Sequence, residues 1–428
     1  MELLAIQALS ALDYVLFAAV LLISLGIGVF FAILARKVKN VEVLLNAAQS
    51  ADLFPVSMSL TASFLSSVTL LGTPPMIYGI GTMYAWVLPA IPLVILALNH
   101  IYIPVFYNCG VSSPYEYLGE RFNCRILRLL AATVFIIQMI IYMGIVIYLP
   151  CLAIGTVTGI SVWGTVVTIG LVCTIYTAIG GLKAVLWTDA FQVGIMFASI
   201  LMPIVKGSID HKGFTNIWNI ANEGGRLIFT EYLKRKEFEH VSVISRALWI
   251  SLVLYAEYGE CNPTRIKGMV TASDQIFPYY IATKFAIAPG SIGIFIAGIV
   301  SASLSTVSSG CNSLVAVTFR DILDPFFPSL DAQKKIILSK IMGFVFGGLT
   351  ILFAYLSSLM GAAVQAALGL FGMLFGPLLG IFTLAMLFPF ANKYASFFSF
   401  SMPSRSFLPD STELLLQQVS VRCVPVLT

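Results

Sequence analysis

Charge is what this sequence has least of. Only 10% of its 428 residues are Asp, Glu, Lys or Arg, where a soluble domain carries about 25%. With 59% apolar residues and a mean hydropathy of +0.95, the chain cannot wrap its apolar surface in a polar shell, so lipid must solvate most of it. Soluble enzymes, secreted modules and disordered proteins are excluded. Histidine is scarce, at three scattered residues, and the seven cysteines show no Cys-x-x-Cys spacing; a zinc or iron–sulfur centre has no support. Basic residues number 24 against 20 acidic ones, a net charge of +4. No run of Lys or Arg interleaves with aromatics, which argues against a nucleic-acid partner. No nucleophile, base and orienting group form a recognisable motif, which argues against an enzyme.

Long apolar runs are present in abundance. A helix crosses the hydrocarbon core in roughly 20 apolar residues. Nine runs qualify: 14–35, 54–78, 83–107, 129–158, 162–180, 186–206, 291–319, 336–358 and 361–390. The first has no basic residue before it and is followed by Arg36, Lys37 and Lys39, which marks a retained span and not a cleaved signal. A tenth stretch, 241–258, holds Arg246 and Glu257, and the apolar run between them is too short to cross alone. It is read as a partial or interfacial segment.

Lys and Arg accumulate in cytoplasmic loops. Arg36, Lys37 and Lys39 follow the first span, Arg121, Arg125 and Arg128 precede the fourth, and Lys183 lies between the fifth and sixth. The amino terminus is thus expected outside. Lys334, Lys335 and Lys340 belong inside as well, which requires an even number of crossings between residues 206 and 291. The weak segment should therefore not cross by itself. Lys234, Arg235 and Lys236 are discordant, because parity puts them outside.

Polar residues break the spans at three places. The second contains Thr61-Ala62-Ser63-Phe64-Leu65-Ser66-Ser67-Val68-Thr69, then Gly72 and Pro74-Pro75. Backbone that unwinds inside a membrane is tolerated where it lines a cavity, and its freed carbonyls suit a hard cation; small residues alone would also let helices pack closely. In Ser301-Ala302-Ser303-Leu304-Ser305-Thr306-Val307-Ser308-Ser309, six hydroxyls fall within nine residues. Some will bond their own helix, while Ser305 and Thr306 can join the Ala302 carbonyl in a neutral oxygen cage for a monovalent ion that must leave again. The third place is Gly180-Gly181-Leu182-Lys183, leading to Thr188-Asp189 and Gln192. An acid there serves an ion path or opens a helix as a cap.

Together these segments resemble the sodium/solute symporter family. The stretch 180–192 looks like its signature, and Leu304-Ser305-Thr306-Val307-Ser308-Ser309 with Asn312, Ser313 and Asp321 looks like its sodium-site helix. Further likeness lies in Ser113-Pro114-Tyr115-Glu116-Tyr117-Leu118-Gly119, Gly144-Ile145-Val146-Ile147-Tyr148 and Gly376-Pro377-Leu378. It covers 13–229 and 261–392. Residues 62–74 are most similar to the branch carrying monocarboxylates, multivitamins and iodide.

The resemblance implies an all-α polytopic membrane protein with a LeuT-like core of two inverted repeats and one extra helix ahead. It implies a sodium-coupled symporter of small organic anions at the plasma membrane, with sodium as coupling ion and no cofactor. The sodium site would use carbonyls of Ala62, Leu65 and Ala302 and hydroxyls of Ser305 and Thr306, with Asp189 nearby. Substrate would meet Ser66, Thr69 and Tyr142. The expected organisation is 1–206 for the leading helix and first repeat, 207–290 for an extracellular or interfacial segment, 291–390 for the rest of the second repeat, and 391–428 for a polar tail.

Departures from the family lie mainly between those parts. One full helix after Phe229 is missing, and 247–258 reads as the joined ends of the next. Losing two crossings preserves parity and makes 234–236 the remnant of a cytoplasmic loop. Cys261-Asn262-Pro263 carries Asn where the family has an acid, and the family continues with a further span beyond residue 392. The alternative function is a shortened, non-transporting form of such a symporter.

Overall fold

The computed structural model describes residues 10–35, 52–82, 87–111, 113–227, 244–259, 270, 273–286, 288–326, 331–359, 363–388 and 391. The basic clusters at 36–39 and 234–236, the Cys261-Asn262-Pro263 loop and the tail lie outside them. Every one of the nine apolar runs carries helix. α1 is Ala11–Ala35, α2 Leu53–Phe64 and α3 Thr73–Ile80. α4 (Val87–Ala97) continues through a wide turn into α5 (Ile103–Cys109). The short α6 (Pro114–Arg121) precedes α7 (Arg125–Thr158) and α8 (Val162–Asp210). Then come α9 (Phe214–Glu223), α10 (Ile244–Tyr258), α11 (Ile276–Lys284), α12 (Ser291–Val317), α13 (Ala332–Ser357) and α14 (Ala363–Leu387).

Six of the described helices are long and apolar enough to cross a membrane, and the bent pair α2 and α3 makes a seventh. The 49 residues of α8 are two limbs, because Gly181 departs from helical geometry at φ 67° and ψ −168°. A positive φ is strained for any residue with a Cβ, so glycine is needed at this break. Its neighbour Gly180 lies against the Gly28 carbonyl of α1, so two glycines let the leading helix approach the break closely.

α12 is the centre of the bundle. It packs most extensively on α8 and also on α7, α1 and α13, and nearly all its residues from Ile292 to Leu314 are buried. The outer helices present apolar side chains outward, among them Leu22, Val94, Ile137 and Leu352, all more than half exposed. That inversion is the mark of a lipid-facing surface. α1 is tied to α12 where Asp13 Oδ1 accepts the Gly293 amide at 2.6 Å; a carboxylate at a helix N-terminus satisfies an otherwise orphaned N–H.

α10, the weak tenth stretch, has 15 residues. At 1.5 Å per residue it is about 22 Å long, short of the roughly 30 Å hydrocarbon core. Ile250, Leu252, Val253 and Leu254 are buried, and α10 packs against α3, α8 and α9.

Candidate functional site

The second span breaks where the sequence marks it. α2 ends at Phe64, Leu65 takes a non-helical φ of −82° and ψ of 56°, and the chain resumes in a wide turn over Val68–Gly72 before α3. Pro74 and Pro75 sit in the first turn of α3, where a missing N–H costs no hydrogen bond. The bend between the helices is 44°. Ala62 and Leu65, whose carbonyls were expected to face an ion, are buried.

The break is held by a carbonyl that another proline frees. Pro150 lies inside α7 and has no N–H, so the carbonyl of Val146, four residues earlier, loses its helical donor. Ser67 Oγ from the broken span donates to it at 2.7 Å, and Ser303 Oγ from α12 donates at 3.0 Å. One buried oxygen thus joins the break, α12 and α7.

A polar seam follows along the same interface. Asp189, fully buried in the second limb of α8, accepts from Ser59 Oγ of α2 at 2.5 Å and from Ser309 Oγ of α12 at 3.4 Å. Ser63 Oγ donates to Ser309 Oγ at 3.3 Å. Asp189 is therefore several residues inside its limb, beyond the break at Gly181, and does not cap it. Ser305 lies within reach of the same carboxyl, yet Ser305 Oγ and Asp189 Oδ1 are both buried without a well-formed hydrogen bond. Thr306 Oγ1 donates back to the Ala302 carbonyl at 3.0 Å, so those two expected ligands already lie side by side with lone pairs to spare. Carbonyl, hydroxyl and carboxylate oxygens together are the donor set of a hard cation.

The three expected substrate residues also come together. Ser66 Oγ and Thr69 Oγ1 are 3.2 Å apart, Tyr142 of α7 is in hydrogen-bonding reach of Ser66, and Phe371 of α14 meets the Tyr142 ring edge-on at 4.7 Å. Ser59, Ser63, Val146 and Phe371 were not singled out from sequence. Pro150 within a span was the available signal for Val146, since a proline there always leaves a carbonyl to be satisfied.

A second cluster joins the ends of four elements. Asp321, fully buried just past α12, accepts from Ser113 Oγ and from Arg128 Nε, both at 2.7 Å. Arg128 also donates to the Arg320 carbonyl, Arg125 to that of Pro325, and Arg121 to those of Ala385 and Phe388. The basic residues expected from sequence on the cytoplasmic side thus also satisfy orphan carbonyls at helix C-termini. Burial, with the Asp321 charge second, pushes the Tyr115 phenol well above its usual range.

Interrupted helices whose polar groups face one another in the middle of an apolar bundle define a multi-pass membrane protein of the secondary-transporter type. The sodium:solute symporter family model matches residues 45–223. The chain is 41% identical over 428 positions to the sodium-coupled monocarboxylate transporter 1 of Mus musculus, covering 89% of this chain and 70% of the relative. It is 38% identical to the Homo sapiens sodium-coupled monocarboxylate transporter 2, over 89% and 69%, and 38% identical to the Oryctolagus cuniculus sodium-dependent multivitamin transporter, over 90% and 67%. A solved structure of a Na+-coupled sialic acid symporter in a substrate-bound outward-open state superposes with a TM-score of 0.75 at 23% identity, over 89% of this chain and 87% of that one. The chain belongs to the sodium:solute symporter family and has its all-helical, multi-pass fold. About a tenth of the 428 positions aligned with the mouse relative are matched by nothing in this chain.

Proposed function

We propose that this chain is a sodium-coupled symporter of small organic anions, monocarboxylates or related vitamins, working by alternating access in the plasma membrane. The observation that carries the reading is the seam between the broken second span, α12 and Asp189, where Ser305 Oγ and Asp189 Oδ1 are buried without a well-formed hydrogen bond. Sodium would take the carbonyls of Ala62, Leu65 and Ala302 and the hydroxyls of Ser305 and Thr306. Thr306 Oγ1 can keep donating to the Ala302 carbonyl, because a hydroxyl and a carbonyl that share one hydrogen bond each retain a lone pair for the ion. Both oxygens then point at the cation, with the Asp189 charge close behind.

The anion would accept from the hydroxyls of Ser66, Thr69 and Tyr142. Neutral donors hold a carboxylate without the tight clamp of an arginine, which suits a ligand that must be released. Sodium at the break orders Leu65 and Ser66 together, so it prepares the adjacent anion site, and the coupling is reciprocal. The charge distribution supports an amino terminus outside and no independent crossing by α10. The unmatched tenth of the alignment and the short α10 are in keeping with the loss of one helix and part of the next between 207 and 290.

The test is uptake of labelled lactate, nicotinate, biotin and iodide into cells expressing this chain, in sodium or choline medium, with surface labelling of the protein. Sodium-dependent uptake abolished by Thr306→Ala is expected. No uptake from chain shown to be at the surface overturns the proposal and assigns a non-transporting form.

A further inference from the structure

A cavity with a mainly apolar wall and a few polar groups lies between the break in α8, the C-terminal part of α12 and the start of α13. It is partly open, with a volume of about 160 Å³, and is lined by Thr177, Gly181, Asn312, Ser313, Ser339 and Lys340, among others, with no carboxylate among the described residues of its wall. Thr177 and Ser339 are engaged, the first near Cys173 Sγ and the second donating to the Lys335 carbonyl. Three donors are not: Asn312 Nδ2 is buried without a partner, and Lys340 Nζ and Ser313 Oγ make no hydrogen bond or ion pair among the described residues. The second limb of α8 also begins here, because Gly181 and Leu182 line the cavity and Gly181 is the non-helical residue. The first N–H groups of a helix have no intrahelical acceptor and carry its positive dipole end.

We infer that this cavity is a binding site for one small monovalent anion, held by Lys340, Asn312 and Ser313 against the start of the second limb of α8. An ammonium, an amide N–H, a hydroxyl and a helix start all offer positive charge or a donor, and no acid in the wall competes for them. The volume admits a halide or a short carboxylate with a few waters. None of Ser66, Thr69 and Tyr142 lines the cavity, so it is distinct from the anion site that they form. It lies toward the end of the bundle that carries Arg128, Lys183 and Lys335. The inference rests on the cavity and does not require that the chain transports.

The test uses the purified full chain in detergent without sodium, in potassium gluconate, replacing gluconate with potassium chloride or potassium lactate at constant ionic strength. A ligand bound only by the folded state raises the thermal midpoint saturably, by roughly 2–4 °C at high occupancy. The expected result is such a rise, lost in Lys340→Gln and in Asn312→Asp. Lys340 is exposed, so its substitution does not touch the core; Asn312→Asp is isosteric and puts a negative charge against the anion. A rise with chloride identifies an inorganic anion as occupant, and one with lactate alone identifies an organic one. No rise with either anion, or an equal rise in both variants, overturns the inference.

Discussion

The carbonyl of Val146 offers the sharpest test of how the broken span is held. Two hydroxyls donate to it because Pro150 cannot. Removing one, in Ser67→Ala or Ser303→Ala, leaves the other in place and should cost about 1 kcal/mol. Removing both strands a fully buried carbonyl, which adds the desolvation penalty of roughly 1–3 kcal/mol. The double variant should therefore be destabilised by more than the sum of the singles, by that margin. In a Pro150→Ala background the backbone regains an N–H able to reach Val146 along the helix, and the excess should vanish. The assay is equilibrium unfolding of the purified protein in mixed micelles. It compares the unsubstituted chain, each single and the double with Pro150 in place, and then the same set in the Pro150→Ala background. Additive effects with Pro150 in place, or an excess that persists once Pro150→Ala is introduced, would refute the reasoning.

Three further expectations follow from the same geometry. Arg128→Ala leaves the buried Asp321 carboxylate with Ser113 as its remaining charge-stabilising donor and should lower unfolding stability by about 3–5 kcal/mol, without restoration by Arg128→Lys, which cannot reach both Asp321 and the Arg320 carbonyl. Tyr142→Phe removes one hydroxyl beside Ser66 and should raise the KM for the anion about tenfold, one lost hydrogen bond, while the half-saturating sodium concentration changes little in uptake measurements. Asp189→Asn keeps the volume but removes the buried negative charge that Ser59 and Ser309 point toward, so the half-saturating sodium concentration should rise about tenfold or more in the same assay, with expression at the surface checked in parallel.

Much of the fold was legible because lipid imposes a coarse rule: each of the nine apolar runs carries helix among the described residues, 162–180 and 186–206 as the two limbs of α8, and the breaks at Leu65 and Gly181 fell within the stretches rich in small and polar residues. Glycine at 181 is readable since the backbone there needs a positive φ. The grouping of Ser66, Thr69 and Tyr142, and of Asp189 with the α12 hydroxyls, came from resemblance and not from spacing, because these residues belong to helices far apart in sequence. Ser59 and Ser63 could not be told from packing serines, since any small residue suits a tight helix contact. The burial of α10 was equally unreadable: its sequence shows a run too short to cross, but only its neighbours α3, α8 and α9 determine that it is enclosed.

Sodium binding is the claim on which the rest depends, and it can be measured without transport. Radiolabelled sodium is titrated onto the purified chain in detergent, with and without saturating lactate, beside the Thr306→Ala variant. The account predicts saturable binding that tightens when the anion is present and is lost in the variant. Binding that does not saturate, that ignores the anion, or that survives the loss of the Thr306 hydroxyl unchanged would contradict it.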